Sequence, residues 1–376
     1  MKKLFFYIIF LSITWGCKEK YLPKITSPAT GYLVVEGFIN NGQKSTIITL
    51  TRTTRLFDTL DVIYEHNALV NIEGDNQLTY PLYYTGNGNY ISATSLNLNS
   101  NQKYRLRIKT QDGKEYLSDF SKVRNTPPID SITWLRENGG VRLYINTHDP
   151  QNTTRYYQWK YKEVWEIHSA YLTNLVYDGP VDKSFVKYRF PNGAYDFSLY
   201  TCWPEDNAKR VIIGTSEKLT ADKIYYPLLL IQPASERLSI LYSINISQYA
   251  LSHEAYLFLD KLKKNTEQLG SIFDPQPSEL QGNIHCVTNP SEIVIGHVEV
   301  LEEKELRLFI KNSEVPGWNY TSPCNIEVIA NHPDSILKYG LGRYPTSPSE
   351  VMFNVIMKFG AASSLSCIDC TTKGTN

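Results

Sequence analysis

The chain has 376 residues, of which 42% are hydrophobic and 20% are charged, which indicates a folded protein of two or three domains and excludes a disordered one. Lysine plus arginine and aspartate plus glutamate both number 38, so the formal net charge is zero and no overall positive field would attract nucleic acid. The chain has 27 tyrosines and only three methionines. Because tyrosine suits the half-buried surface of a sheet, this composition favours a mainly β protein.

The N-terminus has the pattern of a secretory signal. Lys2 and Lys3 precede an apolar run, residues 4–13, that is too short to span a bilayer. Gly16 and Cys17 follow, as in a lipobox, in which the cysteine is acylated and becomes the mature N-terminus. We therefore predict a lipoprotein signal peptide over 1–16, lipidation of Cys17 and a tether over 17–31, with plain secretion as the alternative.

A first β domain is predicted over residues 32–125. Short alternating runs are separated by polar turns, of which Asn40-Asn41-Gly42 is a hairpin signal between two apolar runs. About seven strands of this kind predict an immunoglobulin-like or transthyretin-like sandwich.

A second, larger β domain is predicted over 126–360, after the stiff Thr126-Pro127-Pro128 linker. Its entry strand resembles that of a fibronectin type III sandwich. The alternation over 238–247 predicts a strand, and Ser252 is placed to cap a helix over 253–269. Residues 293–300 are predicted to return as a strand, and a cysteine-containing tail occupies 361–376. The fold prediction is thus two tandem β-sandwiches, the second with an inserted helix.

One predicted strand carries a row of aromatic side chains, Tyr157, Trp159 and Tyr161, on a single face. Such a row could stack on a sugar or a peptide. More often such a row is the hydrophobic face of a strand that belongs to a core. The sequence leaves both interpretations open.

Five cysteines remain once Cys17 is assigned to lipid. Outside the cytoplasm the expected state is disulfide pairs, so one cysteine is left over. We expect Cys202 to pair with Cys286, and Cys324 to pair with Cys367 or Cys370. The Cys367-x-x-Cys370 spacing is also that of a zinc knuckle or a redox pair, which is the alternative.

Catalytic motifs are missing from the sequence. The GxSxG, GxxxxGK[ST], GxGxxG and HExxH patterns do not occur, and the seven histidines are scattered. We therefore predict no catalytic residue, metal site or cofactor, and a protein that is not an enzyme. A pair of carboxylates placed by the fold for glycoside hydrolysis is the hypothesis that sequence patterns do not test.

Several stretches together resemble one family. They are LVVEGFI (residues 33–39), Cys202-Trp203, the run QYALSHEAYLFLDKLKKNTEQLGSIFDPQPSELQGNI (248–284) and CIDC (367–370). The chain thereby resembles the Bacteroidota outer-membrane lipoproteins grouped as domain of unknown function 4249. The resemblance implies an outer-membrane location, no assigned enzymatic activity and a TonB-dependent β-barrel receptor for nutrients as the partner. A surface adhesin or structural module is the alternative, and a hydrolase in an unrecognised fold is a third.

Three Asp-Ser/Thr-aliphatic triplets, which contain Thr59, Ser131 and Ser335, resemble the sites that Bacteroidota O-glycosylate outside the cytoplasm. Asp-Ser before a strand is also ordinary turn chemistry. These three hydroxyls are therefore candidate glycosylation sites.

Overall fold

The computed structural model describes residues 31–54, 62–181, 185–267 and 280–376. The predicted signal peptide, Cys17, Thr59 and the last two residues of the predicted helix lie outside this part of the chain. Among the described residues, no helix is long and apolar enough to cross a membrane.

The described chain consists mainly of strands. The first nine are β1 (Leu33–Asn40), β2 (Ser45–Arg52), β3 (Ile63–Tyr64), β4 (Leu69–Gly74), β5 (Thr79–Gly86), β6 (Asn89–Ser95), β7 (Lys103–Lys109), β8 (Glu115–Ser118) and β9 (Ser121–Arg124). The next eleven are β10 (Ile129–Glu137), β11 (Gly140–His148), β12 (Tyr156–Trp165), β13 (Ile167–His168), β14 (Leu175–Tyr177), β15 (Val186–Tyr188), β16 (Thr201–Cys202), β17 (Glu205–Asn207), β18 (Ile212–Thr215), β19 (Lys223–Ile231) and β20 (Leu241–Leu251). The last six are β21 (Ile284–Cys286), β22 (Val300–Leu301), β23 (Lys304–Lys311), β24 (Ile326–Ala330), β25 (Tyr344–Met352) and β26 (Val355–Ala362). Two α-helices accompany them, α1 (His253–Glu267) and α2 (Pro333–Tyr339).

Eight strands of the N-terminal body close into a barrel in the order β7, β4, β5, β6, β2, β1, β22, β9, and β9 pairs back to β7. Neighbours are antiparallel except at β22, which runs parallel to both β1 and β9. One edge of β7 is shared, because Lys103 and Tyr104 meet β9 whereas residues 107–109 meet β8.

The barrel interior follows from the period-two pattern of its strands. In β7, Tyr104, Leu106 and Ile108 are buried, and the residues between them face outward. The same alternation in the other strands gives one continuous apolar core, which includes Leu33, Val35, Ile39, Ile48, Leu50, Val70, Ile72, Leu82 and Tyr90.

The mainly β prediction is confirmed, but the prediction of two tandem β-sandwich domains is wrong. Alternation determines which face of a strand is buried, and it does not determine whether the two edges of a sheet stay apart or meet. Here they meet, because Val300 and Leu301, which follow α1 in sequence, fill the gap between β1 and β9. Closure pairs edges that an open sheet would leave exposed.

Two further sheets with a core between them form the second body of the chain. One sheet has the order β10-β11-β19, and the other has the order β17-β12-β20-β23, with β18 also paired to β12. Their facing side chains form one cluster, which includes Val141, Leu143, Ile145, Tyr157, Trp159, Tyr242, Ile244, Ile246 and Ile310.

The segment around α1 matches its predicted elements in part. Strand β20 begins at Leu241, three residues after the predicted start, and Ser243 is buried together with Tyr242 and Ile244, so the predicted alternation is not strict. The predicted cap is present, because the Ser252 hydroxyl accepts a hydrogen bond from the N–H of Ala255 at 3.0 Å. The predicted strand over 293–300 is mostly not a strand: Ile295 forms an isolated bridge to Val34, and only Val300 continues into β22. Both contacts are made with strand β1 of the barrel, so this segment returns the chain to the N-terminal body.

The C-terminal part is a small third unit. Strands β24, β26 and β25 form a sheet that packs with α2 and the β14–β15 ribbon around Phe359 and Ile336. A disulfide joins Cys324 to Cys367, and another joins Cys202 to Cys370. The predicted tail is therefore covalently attached to the β16 region.

Asp149 directly follows β11, and its carboxyl allows a test of how the stability of the fold depends on pH. Burial raises the pKa of this carboxyl, but hydrogen bonds from Thr153 and from the backbone N–H groups of Thr154 and Gln151 outweigh it and lower the pKa to about 2. Because the folded-state pKa lies below that of the unfolded chain, the stabilisation is present above about pH 4 and is lost as the pH falls toward 2. We expect Asp149→Asn to reduce the free energy of unfolding by about 2 kcal/mol at pH 7 and not at pH 2.

The measurement is urea unfolding at both pH values. Asp334→Asn is the control, because the Asp334 side chain is 90% exposed and should give little change at either pH. Equal destabilisation by Asp149→Asn at pH 7 and pH 2 would contradict this account.

Candidate functional site

A cleft of about 320 Å³ lies where the barrel, the second body and α1 meet. Strand β1 forms one wall, β12 and β20 form another, and α1 covers the third side. The cleft is therefore assembled from parts of the chain more than 200 residues apart, in a position typical of ligand sites between structural units.

Most of the cleft wall is apolar. Its apolar lining comes from Val34, Phe38, Val211, Tyr249, Leu251, Phe258, Leu259, Leu262 and Ile295. Phe38 of the barrel packs edge-on against Tyr249 of β20, with ring centroids 4.9 Å apart. The helix supplies Leu259 and Leu262 because residues three apart lie on one face.

Glycine is required where the barrel closes beside the cleft. The N–H of Val35 donates to the carbonyl of Ile295 at 2.8 Å, and the N–H of Ile295 donates to Leu33 at 2.9 Å. The next residue, Gly296, has φ +153°, and a Cβ there would lie 2.4 Å from the Val35 carbonyl oxygen. Only glycine allows this close approach without a shift of the backbone.

His297 lines the cleft, and its imidazole makes no hydrogen bond to another described residue. Its ring lies 5.8 Å from that of Phe258. Burial lowers the pKa of His297, against the opposing charges of Glu299 and Glu254. The imidazole is therefore neutral at pH 7 and can donate one hydrogen bond and accept another.

Glu299, the acidic residue near His297, already accepts a hydrogen bond. Glu299 is 8% exposed, and its carboxylate accepts a hydrogen bond from the N–H of Ser252 at the start of α1, at 3.1 Å. This contact also fixes the helix to the barrel segment, because Glu299 directly precedes β22. Glu36 and Lys160, both exposed, lie at the cleft mouth.

The other charged clusters are internally paired. At one end of the barrel, Arg52 contacts Glu65 at 2.6 Å, and Glu292 accepts from Tyr116 at 2.7 Å and pairs with Lys114 at 2.7 Å. These contacts join β2, β8 and the loop that carries Glu292. The cluster thus has the features of a structural ion-pair network.

A second cluster is enclosed in a core. Glu163 is 1% exposed and accepts a hydrogen bond from the Tyr242 hydroxyl at 2.7 Å, with Arg237 at 3.3 Å. Burial raises the pKa of Glu163, and its two partners oppose the rise. A substrate could not reach this carboxyl, so the cleft is the better candidate site. The described residues contain no group of three His, Cys, Asp or Glu side chains arranged to hold a metal ion.

The predicted stacking aromatics are not a ligand platform. Tyr157 and Trp159 are 0% exposed, and Tyr161 packs against the same core. The Trp159 indole N–H donates to the buried Gln248 side chain at 2.8 Å, which in turn donates to Thr147. The row belongs to the core because β12 lies between β20 and β18, with the facing sheet covering it.

The cysteines pair differently from the expectation in one case. Cys202 bonds to Cys370 and not to Cys286, whereas Cys324 bonds to Cys367, one of the two partners expected for it. Cys286 is free and lies on β21, which pairs with β8 beside the barrel, and its side chain is buried in the core of the N-terminal body. Both cysteines of the Cys367-x-x-Cys370 motif are in disulfides to other residues, which contradicts the zinc-knuckle and redox-pair alternative.

The candidate glycosylation sites have different surroundings. Ser131 is half-buried in β10, where its hydroxyl accepts a hydrogen bond from Asn146 at 3.1 Å. Ser335 is half-buried in the first turn of α2. Neither observation tests glycosylation, so both remain predictions.

No sequence pattern marks the cleft. Its residues come from β1, β12, β20, α1 and the segment around His297, which share no local motif. The one available signal was the apolar stripe of α1, which includes Leu259 and Leu262.

No curated protein matches this sequence significantly. One family model matches residues 18–307, which is more than half of the chain. The match spans the whole barrel, α1 and every element that lines the cleft. The chain therefore belongs to the family described as domain of unknown function (DUF4249).

Proposed function

We propose that this chain is a lipid-anchored binding protein of the bacterial outer envelope, and that the cleft between the barrel, the second body and α1 holds the apolar part of a small ligand. The observation that supports this proposal is the apolar wall of the cleft, which contains one neutral imidazole, that of His297. Apolar pockets with few polar groups are typical of small-molecule sites. The ligand class is a hydrophobic molecule with one hydrogen-bonding group.

The proposed location and partner have separate support. The signal-like N-terminus supports acylation of Cys17, and two disulfides favour an oxidising compartment. In this proposal the protein does not transform its ligand. It presents the ligand to a TonB-dependent receptor in the outer membrane.

Binding can be tested with N-phenyl-1-naphthylamine, an apolar fluorescent probe with one N–H group. We expect Leu259→Arg to weaken probe binding at least tenfold, because a charged side chain would enter the apolar cleft. Leu257→Arg is the matched control, since Leu257 is on the same helix, is 45% exposed and does not line the cleft. Its affinity should stay within about twofold of the parent, on the scale of a surface change.

The same protein, purified from membranes, tests the remaining parts. A hydrophobic small molecule should be released on denaturation and identified by mass spectrometry, and a β-barrel receptor should copurify from detergent extracts. Cys17→Ala should weaken membrane attachment, so that repeated washing releases the variant from membranes and leaves the parent bound. Unchanged probe binding in Leu259→Arg, together with no released molecule, would refute the binding proposal.

A further inference from the structure

The hairpin formed by β25 and β26 ends in exposed apolar side chains. We call Val351, Met352, Phe353, Val355 and Met357 the apolar tip; they are 43–95% exposed, with Phe353 the highest at 95%. Two of the three methionines in the chain are among them. Isolated exposed apolar residues are ordinary, but five within seven positions form a patch that indicates a binding surface.

The apolar tip has a sharp polar boundary. Glu350 and Lys358 are cross-strand partners, and their side chains form an ion pair at 2.6 Å. Phe353 lies three residues beyond Glu350, which at about 3.3 Å per residue places it about 10 Å past this pair. Elements that lie in a membrane interface bury their apolar face by about 5–10 Å, so the length of the apolar tip fits that depth.

The backbone at the turn is suited to a water-poor surrounding. Phe353 and Asn354 have φ values of 49° and 62°, the two positive values of a tight hairpin turn. Met352 and Val355 pair directly across this turn. The two strands therefore stay paired up to the turn, and Ile356, which is 7% exposed, packs back onto the body.

The alternative of strand addition by a partner protein is disfavoured. An added strand needs a free edge of N–H and carbonyl groups, and β25 has Pro345 and Pro348 with register shifts at both. The Thr346 carbonyl is also occupied, by the N–H of Asn174. On the other side β24 ends at Ala330, opposite Lys358, and Asn331 then occupies the edge of β26, because its N–H donates to the Met357 carbonyl at 2.8 Å and its side-chain amide donates to the Ile356 carbonyl at 3.0 Å.

We propose that the apolar tip inserts into the interface of a lipid bilayer, as a second membrane contact independent of the ligand cleft. The only charges on the hairpin next to the tip, Glu350 and Lys358, neutralise each other, so the contact is hydrophobic and does not need anionic lipid. We expect binding to zwitterionic vesicles to change less than twofold between low and physiological salt.

The test places an environment-sensitive nitrobenzoxadiazole fluorophore on the turn, by Asn354→Cys in the full-length lipidated protein reconstituted into phosphatidylcholine–phosphatidylethanolamine vesicles. Asn138→Cys is the matched control, because Asn138 is also an exposed turn asparagine with positive φ, between β10 and β11. At position 354 we expect at least threefold protection from aqueous iodide and quenching by nitroxide lipids. At position 138 we expect neither.

A second arm removes the lipid anchor. Full-length protein with Cys17→Ala should still sediment with protein-free vesicles, and adding Phe353→Ser should reduce the bound fraction at least fivefold. The tip is exposed, so Phe353→Ser should leave unfolding unchanged. A water-exposed fluorophore at 354 would overturn the proposal. So would protection seen only in native membranes that contain other proteins, or a dimer that Phe353→Ser dissociates. These vesicle measurements do not depend on the cleft, so the tip proposal can be tested even if the cleft does not bind the probe.

Discussion

Removal of the Cys202–Cys370 disulfide is expected to lower the free energy of unfolding by about 5 kcal/mol, more than any other single change considered for this protein. The two cysteines are 168 residues apart in sequence. In the chain-entropy model the stabilisation grows with the length of the closed loop, because the bond restricts the unfolded chain more strongly. The bond also attaches the C-terminal tail to β16, since Cys202 and Cys370 are buried together against Ile167.

The measurement is guanidinium unfolding of the Cys202→Ala/Cys370→Ala protein beside the parent. Cys324→Ala/Cys367→Ala is the internal comparison, because that disulfide spans 43 residues and should contribute about 1 kcal/mol less. Cys286→Ala is the control for loss of a thiol alone, since Cys286 is unpaired. Equal stability of the Cys202/Cys370 variant and the parent would contradict the observed pairing.

Trp159→Ala is expected to lower the free energy of unfolding by about 3–5 kcal/mol. The side chain is fully buried between the two sheets of the second body, and its removal leaves a cavity there. It would also leave the Gln248 side-chain oxygen without its indole donor, at a buried position. Gly214 lies directly against the indole, where a Cβ would be 2.8 Å from the ring, and it has no side chain that could fill the space left by Trp159.

Thermal and urea unfolding of Trp159→Ala would be compared with Leu135→Ala. Leu135 is 54% exposed on the neighbouring sheet, so its truncation should change stability by less than about 1 kcal/mol. A change of similar size in both variants would show that Trp159 is not a core residue. If Trp159 were instead a ligand platform, its removal would abolish binding with little loss of stability.

The local elements were predictable because their signals are local. Ser252 caps α1 because a hydroxyl before an amphipathic run satisfies free N–H groups, and that pattern is visible in the sequence. Strands such as β7 and β20 follow from alternating side chains, and β1 and β2 follow from the turn signal between them. The family resemblance likewise rests on ordered stretches of sequence, and the match over residues 18–307 confirms it.

The disulfide pairing shows where local information ends. The oxidised state could be expected from cysteine count and a signal-like N-terminus, but the partner of Cys202 depended on which surfaces meet. Cys286 lies on β21 and is buried in the core of the N-terminal body, whereas Cys202 lies on β16 beside the tail. No spacing in the chain distinguishes those two environments.

A mainly β chain and the start of α1 follow from the sequence alone, because each depends on neighbouring residues. Closure of the first sheet is visible only in the tertiary structure, because Val300 pairs with β1 and β9, which lie more than 170 residues away in sequence. The same closure brings His297 and Phe38 to one cleft, and neither residue has a local pattern that marks it. Contacts between distant segments depend on the complementary shapes and exposed edges of folded elements, which a one-dimensional pattern does not contain.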